Sequence, residues 1–299
     1  PSGIQAKNKA ERNSSDFQFL SKVNKDLIYS KSQVRLLKSI SKMTQKSSQK
    51  SFPTTGSRKL VCILMNFQDI KFSKSQSDFN NLFNQVGYTT DGAAGSVKDY
   101  YAENSYNQLD LTVTVAGPYT AAYNMAYYGA NDDNDNDNDV KPDVLVTEAV
   151  NKAHADVNYA DFDNDNNGYV DGVYVIYAGY GEEAGASADA IWAHAWEIAP
   201  VTLDGKIITS YSCSSELRGT TGTGITRIGV ICHEFGHVMG ASDFYDTDYD
   251  DNGQFDGTGS WDIMADGSWN NDGATPAHHN PYTKIYKYEW ASATAISSA

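Results

Sequence analysis

The polar and apolar positions of this chain fall into runs that predict both strands and helices. After a Pro53–Gly56 breaker, Lys59 to Phe67 (KLVCILMNF) is almost unbroken in apolar character, the pattern of a strand buried on both faces. Leu109 to Val115 (LDLTVTV) alternates strictly, as a half-buried strand does, and Gly117–Pro118 ends it. Gly172 to Ala178 (GVYVIYA) predicts a second apolar strand, followed by a loop over Gly179 to Gly185. Short helices are expected over Ser77 to Val86 and Val97 to Glu103, and a longer one over Val144 to Ala155 after Pro142. Strands mixed with helices in this way indicate an α/β (α+β) fold, and no repeat at a solenoid period interrupts it. Asn131 to Asp139 (NDDNDNDND) is low-complexity polar loop, solvated surface or at best a weak ion site. The longest clean apolar run, Leu60 to Met65, is far short of the ~20 residues a membrane span needs.

Composition adds one asymmetry. The 299 residues carry a net charge of −15, yet residues 1–59 hold 13 Lys/Arg against only Glu11, Asp16 and Asp26. The acidic remainder would repel phosphates, which excludes nucleic acid as a natural partner. Twenty Tyr, 11 Phe and 5 Trp are more aromatic surface than a wholly disordered chain carries. The basic segment includes one plausible amphipathic helix, Asp26 to Met43. Two readings of it stand: a solvated basic tail, or a cationic segment that docks on the acidic body of its own chain. The three cysteines (Cys62, Cys213, Cys232) contain no CxxC pair, so a thiolate zinc site is not indicated. Either Cys213 pairs with Cys232 in an oxidising compartment, or all three are free and buried. The chain starts at Pro1 and stops after a Ser/Ala-rich stretch, Ala291 to Ala299, and is expected to be a piece of a longer protein whose export signal, if any, is absent.

The stretch that carries chemistry is Ile225 to Asp243, ITRIGVICHEFGHVMGASD. It contains HExxH as His233, Glu234 and His237. On an α-helix at ~100° per residue the two histidines share one face, about 40° apart, while Ile228, Ile231, Phe235 and Val238 take the opposite face. Packing would hold one side of such a helix while both imidazoles point the other way, as a zinc ion requires. Gly240 can take the left-handed turn that ends the helix, after which the chain can present Asp243 as third ligand. Three protein ligands leave one position for water, and Glu234, beside the metal but not bound to it, is placed to take that water's proton.

HEFGHVMGASD resembles the metzincin pattern HExxHxxGxxH/D, with Asp in the third position instead of the commoner His. The GSWDIMADGSW that follows resembles the methionine turn of that clan, which makes Met264 the floor of the zinc site. With AAGSVKDYYAENSYNQLDL (93–111), DNDNNGYVDGVYVIYAGYG (163–181) and ADAIWAHAW (188–196), the chain looks like the immune inhibitor A family of secreted bacterial metallopeptidases, over residues 59 to 290. The resemblance implies a metzincin-like zinc protease with a twisted mixed sheet, backing and active-site helices and a smaller C-terminal subdomain. It divides the chain into a basic pro-segment (1–58), an upper subdomain (59–240) and a lower subdomain (241–299). It also favours docking for the basic segment, as the intramolecular inhibitor of a zymogen; with no Cys there, a cysteine switch is ruled out, leaving a carboxylate or steric blocking. A secreted monomer acting on protein substrates is the implied whole.

Two acidic loops share the spacing D-x-D-x-N-G-x-x-D: Asp163, Asp165, Asn167, Gly168, Asp171 and Asp248, Asp250, Asn252, Gly253, Asp256. Alternating oxygen ligands around a sharp glycine turn are the logic of a calcium loop, but neither has the glutamate an EF-hand places twelfth. Calcium is thus expected as a second cofactor, with solvated acidic loops as the bland alternative. His194, between Trp192 and Trp196, reads as a packed or hydrogen-bonded residue; His154, His278 and His279 read as surface residues; Tyr174 and Tyr177 read as core. The rival to a protease is a calcium-stabilised secreted binding or adhesion module with a vestigial zinc site. A base at Glu234 argues against it.

Overall fold

The fold is described from a computed structural model, over residues 52–132, 138–247 and 257–294. Residues 1–51 of the basic segment and the second acidic loop, Asp248, Asp250, Asn252 and Asp256, therefore lie outside the described residues; Phe52 packs in the core and residues 56–58 open the first strand.

Five strands form one sheet in the order β2–β1–β3–β5–β4, with β1 Gly56–Asn66, β2 Leu109–Thr120, β3 Val173–Tyr180, β4 His194–Leu203 and β5 Lys206–Leu217. The first four in that order run parallel to their neighbours, and only β4 is antiparallel, on β5. The helices are α1 Gln76–Asn84, α2 Val97–Asn104, α3 Met125–Gly129, α4 Pro142–Ala153 and α5 Ile228–Val238. The mixed α/β class expected from the sequence is the class observed. The two long strands β4 and β5 were not anticipated: β4 is largely exposed, and β5 buries polar residues such as Ser212, Ser214, Ser215 and Glu216, so neither shows an apolar run.

The continuous apolar run of β1 has a simple cause. Leu60, Cys62 and Leu64 face one core, with α1, α2 and α5, whereas Val61, Ile63 and Met65 face a second, with α4. A strand covered on both faces has no polar side to alternate. At the edge of the sheet β2 does alternate: Leu109, Leu111 and Val113 are buried, and Asp110, Thr112 and Thr114 are exposed. Its outer carbonyls are occupied by side chains. Lys98 donates to Leu111 O (2.9 Å), Asn84 to Val113 O (2.8 Å) and Gln76 to Val115 O (2.9 Å). These blocks keep an exposed edge from pairing with another chain. Helices α1 and α2 each begin with a reciprocal capping box, Ser75–Asp78 and Ser96–Asp99.

Tyr174 and Tyr177 are fully buried and satisfied, the first donating to Ser214 Oγ (2.9 Å) and the second to Ile191 O (2.7 Å). Cys62, Cys213 and Cys232 are all free and buried, so the Cys213–Cys232 pairing is not formed. His279 is a correction: expected at the surface, it is 2% exposed. It sits in a cage of rings from Tyr100, Tyr101, Tyr288 and Trp290, and neither ring nitrogen has a hydrogen-bond partner. A histidine in a polar context (AHHN) carries no sequence signal of such burial. Among the described residues no helix is long and apolar enough to cross a membrane.

Candidate metal centre and active-site cleft

Helix α5 carries HExxH and is held from below. Ile228, Ile231, Phe235 and Val238 are buried. Phe52 meets Phe235 edge to face at 4.9 Å, and the Tyr101 and Tyr288 hydroxyls donate to the carbonyls of Cys232 (2.7 Å) and Gly236 (2.9 Å). Gly229 and Gly236, seven residues apart and so on one helical face, allow a close approach by the segment that follows the acidic loop. A Cβ at Gly229 would lie 2.0 Å from Ser268 O, and one at Gly236 would lie 2.8 Å from Met264 Sδ. The fully buried Met264 therefore packs directly beneath the helix. Asp262, also fully buried, fixes this turn: its carboxylate accepts from Met264 N (3.2 Å), Thr258 Oγ1 (3.1 Å) and Asn280 N (3.2 Å).

Gly240 has φ +100° and turns the chain out of the helix. The reversal brings Asp243 Oδ1 to 3.2 Å from His233 Nε2 and 3.3 Å from His237 Nε2. The other nitrogen of each ring faces a backbone carbonyl, which can only accept: His233 Nδ1 donates to Ile263 O (2.7 Å) and His237 Nδ1 to Ala241 O (3.0 Å). Those bonds fix the tautomer and turn both Nε2 lone pairs toward the carboxylate. Asp243 Oδ1 is buried and has no hydrogen-bond partner. With both rings neutral, three lone-pair atoms converge on one point, which is the fit expected of a dication site. Burial alone would lower the His233 pKa, but Asp243 and Glu234 outweigh it and raise it to about 9. His237 is raised and Asp243 lowered by the same mutual contact, each against the effect of burial. Protons held this way are the ones a metal displaces when it binds.

Glu234 is 6% exposed, and its carboxylate lies within 4.8 Å of a ligand nitrogen of each histidine. Burial raises its pKa, with the two imidazoles pulling the other way. It lines a cleft of about 250 Å³ together with His233, Val230, Glu183, Trp192 and Trp269. The cleft wall was missed in sequence: Glu183, Trp192, Tyr245, Asp266 and Trp269 come from three separate segments, and no spacing rule links them.

Sequence comparison decides the family. Residues 48–291 match the family model described as immune inhibitor A peptidase M6, catalytic domain. This chain belongs to the immune inhibitor A peptidase family. Two Vibrio cholerae serotype O1 proteins, both named pre-pro-metalloprotease PrtV, are 33% identical to it over 220 residues, 63% of this chain and 23% of theirs. Immune inhibitor A of Bacillus thuringiensis subsp. alesti is 30% identical over 215 residues, 63% of this chain and 31% of its own. The chain thus spans less than a third of the relatives it matches. Metalloproteinase-II from Bacteroides fragilis aligns over 85% of this chain and 61% of its own, at 10% identity and a TM-score of 0.33. The M6 family assignment makes this a metallopeptidase domain, and the HExxH helix lies within the matched region.

The acidic loop has a different character. Asp163, Asp165 and Asp171 bring ligand oxygens within 4.8 Å of one another. The loop's own backbone fills much of that shell: Asn167 N donates to Asp163 (3.0 Å) and Asp165 (3.1 Å), Gly168 N to Asp163 (3.0 Å) and Asn164 N to Asp171 (2.6 Å). Asn167 Oδ1 instead accepts from Tyr169 N at 2.8 Å, and Lys206 Nζ pairs with Asp163 at 2.6 Å. Asp171 Oδ1 remains buried and without a partner. His194, as expected, is hydrogen-bonded, to Tyr211 OH and Trp192 O, both at 2.7 Å.

Proposed function

We propose that this chain is the catalytic part of a secreted zinc endopeptidase, made as a zymogen and acting as a monomer on protein substrates. The reading is carried by the convergence of His233 Nε2, His237 Nε2 and the unpartnered Asp243 Oδ1 on one point beside Glu234. Those three residues hold the ion, and Met264 supports it from below. Zinc in such a site, when bound, supplies a Lewis acid that polarises a carbonyl and lowers the pKa of water. Glu234 accepts the proton of the attacking water and returns it to the leaving amine. Burial raises the proton affinity of its carboxyl, which helps it take up the water's proton before passing it on. Upper (59–240) and lower (241–299) subdomains flank the cleft, and the basic segment ahead of Phe52 blocks it until removed.

Calcium at Asp163, Asp165, Asn167 and Asp171 is the second part of the reading, supported by the orphaned Asp171 oxygen. Asp248, Asp250, Asn252 and Asp256 are proposed for a second calcium on spacing alone. Casein hydrolysis tests the reading. It should rise when the basic segment ahead of Phe52 is removed and vanish with 1,10-phenanthroline. Absence of hydrolysis in every form of the chain would overturn it.

A further inference from the structure

The cleft beside Glu234 has a wall chemistry that the hydrolytic reading does not use. Trp192 and Trp269 are 51% and 43% exposed, large apolar surfaces left open to the cleft. Two further carboxylates line it, Glu183 and Asp266, and among the described residues no Lys or Arg does. The Glu183 position is built. Its carboxylate lies over Gly181, where a Cβ would come within 2.2 Å of Oε2, so only glycine leaves it room. Ala193 N donates to the same oxygen at 3.1 Å and holds the group in place. Burial, with the charges of Glu234 and Asp139 adding to it, raises the Glu183 pKa to about 7, an imbalance that a cation in the cleft would relieve. Arg227 and Arg218, which with Glu183 line a smaller recess that adjoins the cleft, pair with Asp272 at 3.0 Å and Asp91 at 3.7 Å.

We propose that Glu183 and Asp266, with the indole faces of Trp192 and Trp269, form a substrate subsite for a basic side chain, lysine or arginine. Indoles take the aliphatic stem and the face of the cation, and the carboxylates take its charge. The subsite rests on the peptidase reading and gives it a substrate class: peptides with a basic residue at one fixed position beside the bond cleaved.

The test uses the full-length chain, activated by limited chymotrypsin cleavage after the Phe, Tyr and Leu residues of its basic segment, the chymotrypsin then being inactivated with a serine-directed inhibitor. A Glu234→Ala chain treated in parallel gives the background. Cleavage sites in casein peptides are mapped by mass spectrometry. Two quenched fluorescent peptides are then compared, identical except for lysine or norleucine at the mapped position. The wild type should favour lysine in kcat/KM by about tenfold or more, and Glu183→Gln and Asp266→Asn should each cut that ratio about fivefold. Asp266→Lys should shift preference toward a glutamate peptide, an outcome misfolding cannot produce. A ratio near one in the wild type, or one unchanged in both isosteric variants, would overturn the subsite. No phenanthroline-sensitive cleavage of either peptide would overturn the peptidase reading itself.

Discussion

The HExxH centre and the Asp163–Asp171 loop pose the same puzzle and resolve it differently. Each contains a buried carboxylate oxygen without a hydrogen-bond partner, Asp243 Oδ1 in one and Asp171 Oδ1 in the other. In the first, every neighbouring donor is turned away: the imidazole N–H groups go to Ile263 O and Ala241 O, and lone pairs face the orphan. In the second, backbone N–H groups and Lys206 already answer most of the negative charge. A site whose donors are spent elsewhere requires an ion, whereas a site that satisfies itself can accept one. The first should therefore govern activity, and the second only stability.

The largest effect that follows is at the base. Glu234→Ala should lower kcat by about 10³-fold or more while zinc content stays at one per chain, since Glu234 moves a proton and holds no metal. Retained turnover would remove Glu234 from the mechanism. Next comes the support of the first shell. Asp262→Asn loosens the turn that offers Ile263 O to His233, and zinc affinity should fall about 10–100-fold in a competition with a chromogenic chelator.

How much of this was legible in sequence follows from where the information sits. HExxH, Gly240 and Asp243 are contiguous and obey helix geometry, so the three converging atoms could be placed from spacing alone. The strands β1 and β3 were equally plain, because two covered faces leave an unbroken apolar run. The Ile263 and Ala241 carbonyls were invisible, since every residue has one and only the fold selects which faces a histidine. The Asp163 loop was read from its ligand spacing, but the Lys206 that competes for it lies 43 positions away. His279 was misplaced because its cage is assembled from residues near 100 and 288.

The scaffold under the first site can be disturbed without touching the second. Gly236→Ala puts a methyl 2.8 Å from Met264 Sδ and 3.0 Å from His279 Cε1. A loss of about 1–3 kcal/mol in unfolding free energy is expected from urea melts, with calcium response unchanged. The loop gives an effect of similar size, and one that appears only when calcium is added. Calcium at about 100 times its Kd should add ~2.7 kcal/mol, a Tm rise on the order of 5–10 °C, and Asp171→Ala should abolish the rise without loss of zinc-dependent activity.

The smallest effect concerns pH. Burial holds the His279 pKa well below its ordinary value, so the folded chain keeps the ring neutral. As pH falls through the unfolded-state value near 6.5, the unfolded chain takes up a proton that the folded one refuses, and stability is lost by at most ~1.4 kcal/mol per pH unit. His279→Phe, which suits the aromatic cage and removes two unpaired nitrogens, should flatten the decline in Tm between pH 6.5 and 5. A decline as steep as in the wild type would place the acid sensitivity elsewhere.

The central claim is the identity of the first site's ligands, and zinc K-edge absorption on the zinc-loaded chain addresses it directly. The account predicts two imidazole nitrogens at about 2.0–2.1 Å, one carboxylate oxygen at about 2.0–2.2 Å and one further light atom. The signal should be unchanged by Glu234→Ala and should lose one imidazole in His237→Ala. A shell containing sulfur, or one that survives the removal of His233, His237 and Asp243 together, would contradict it.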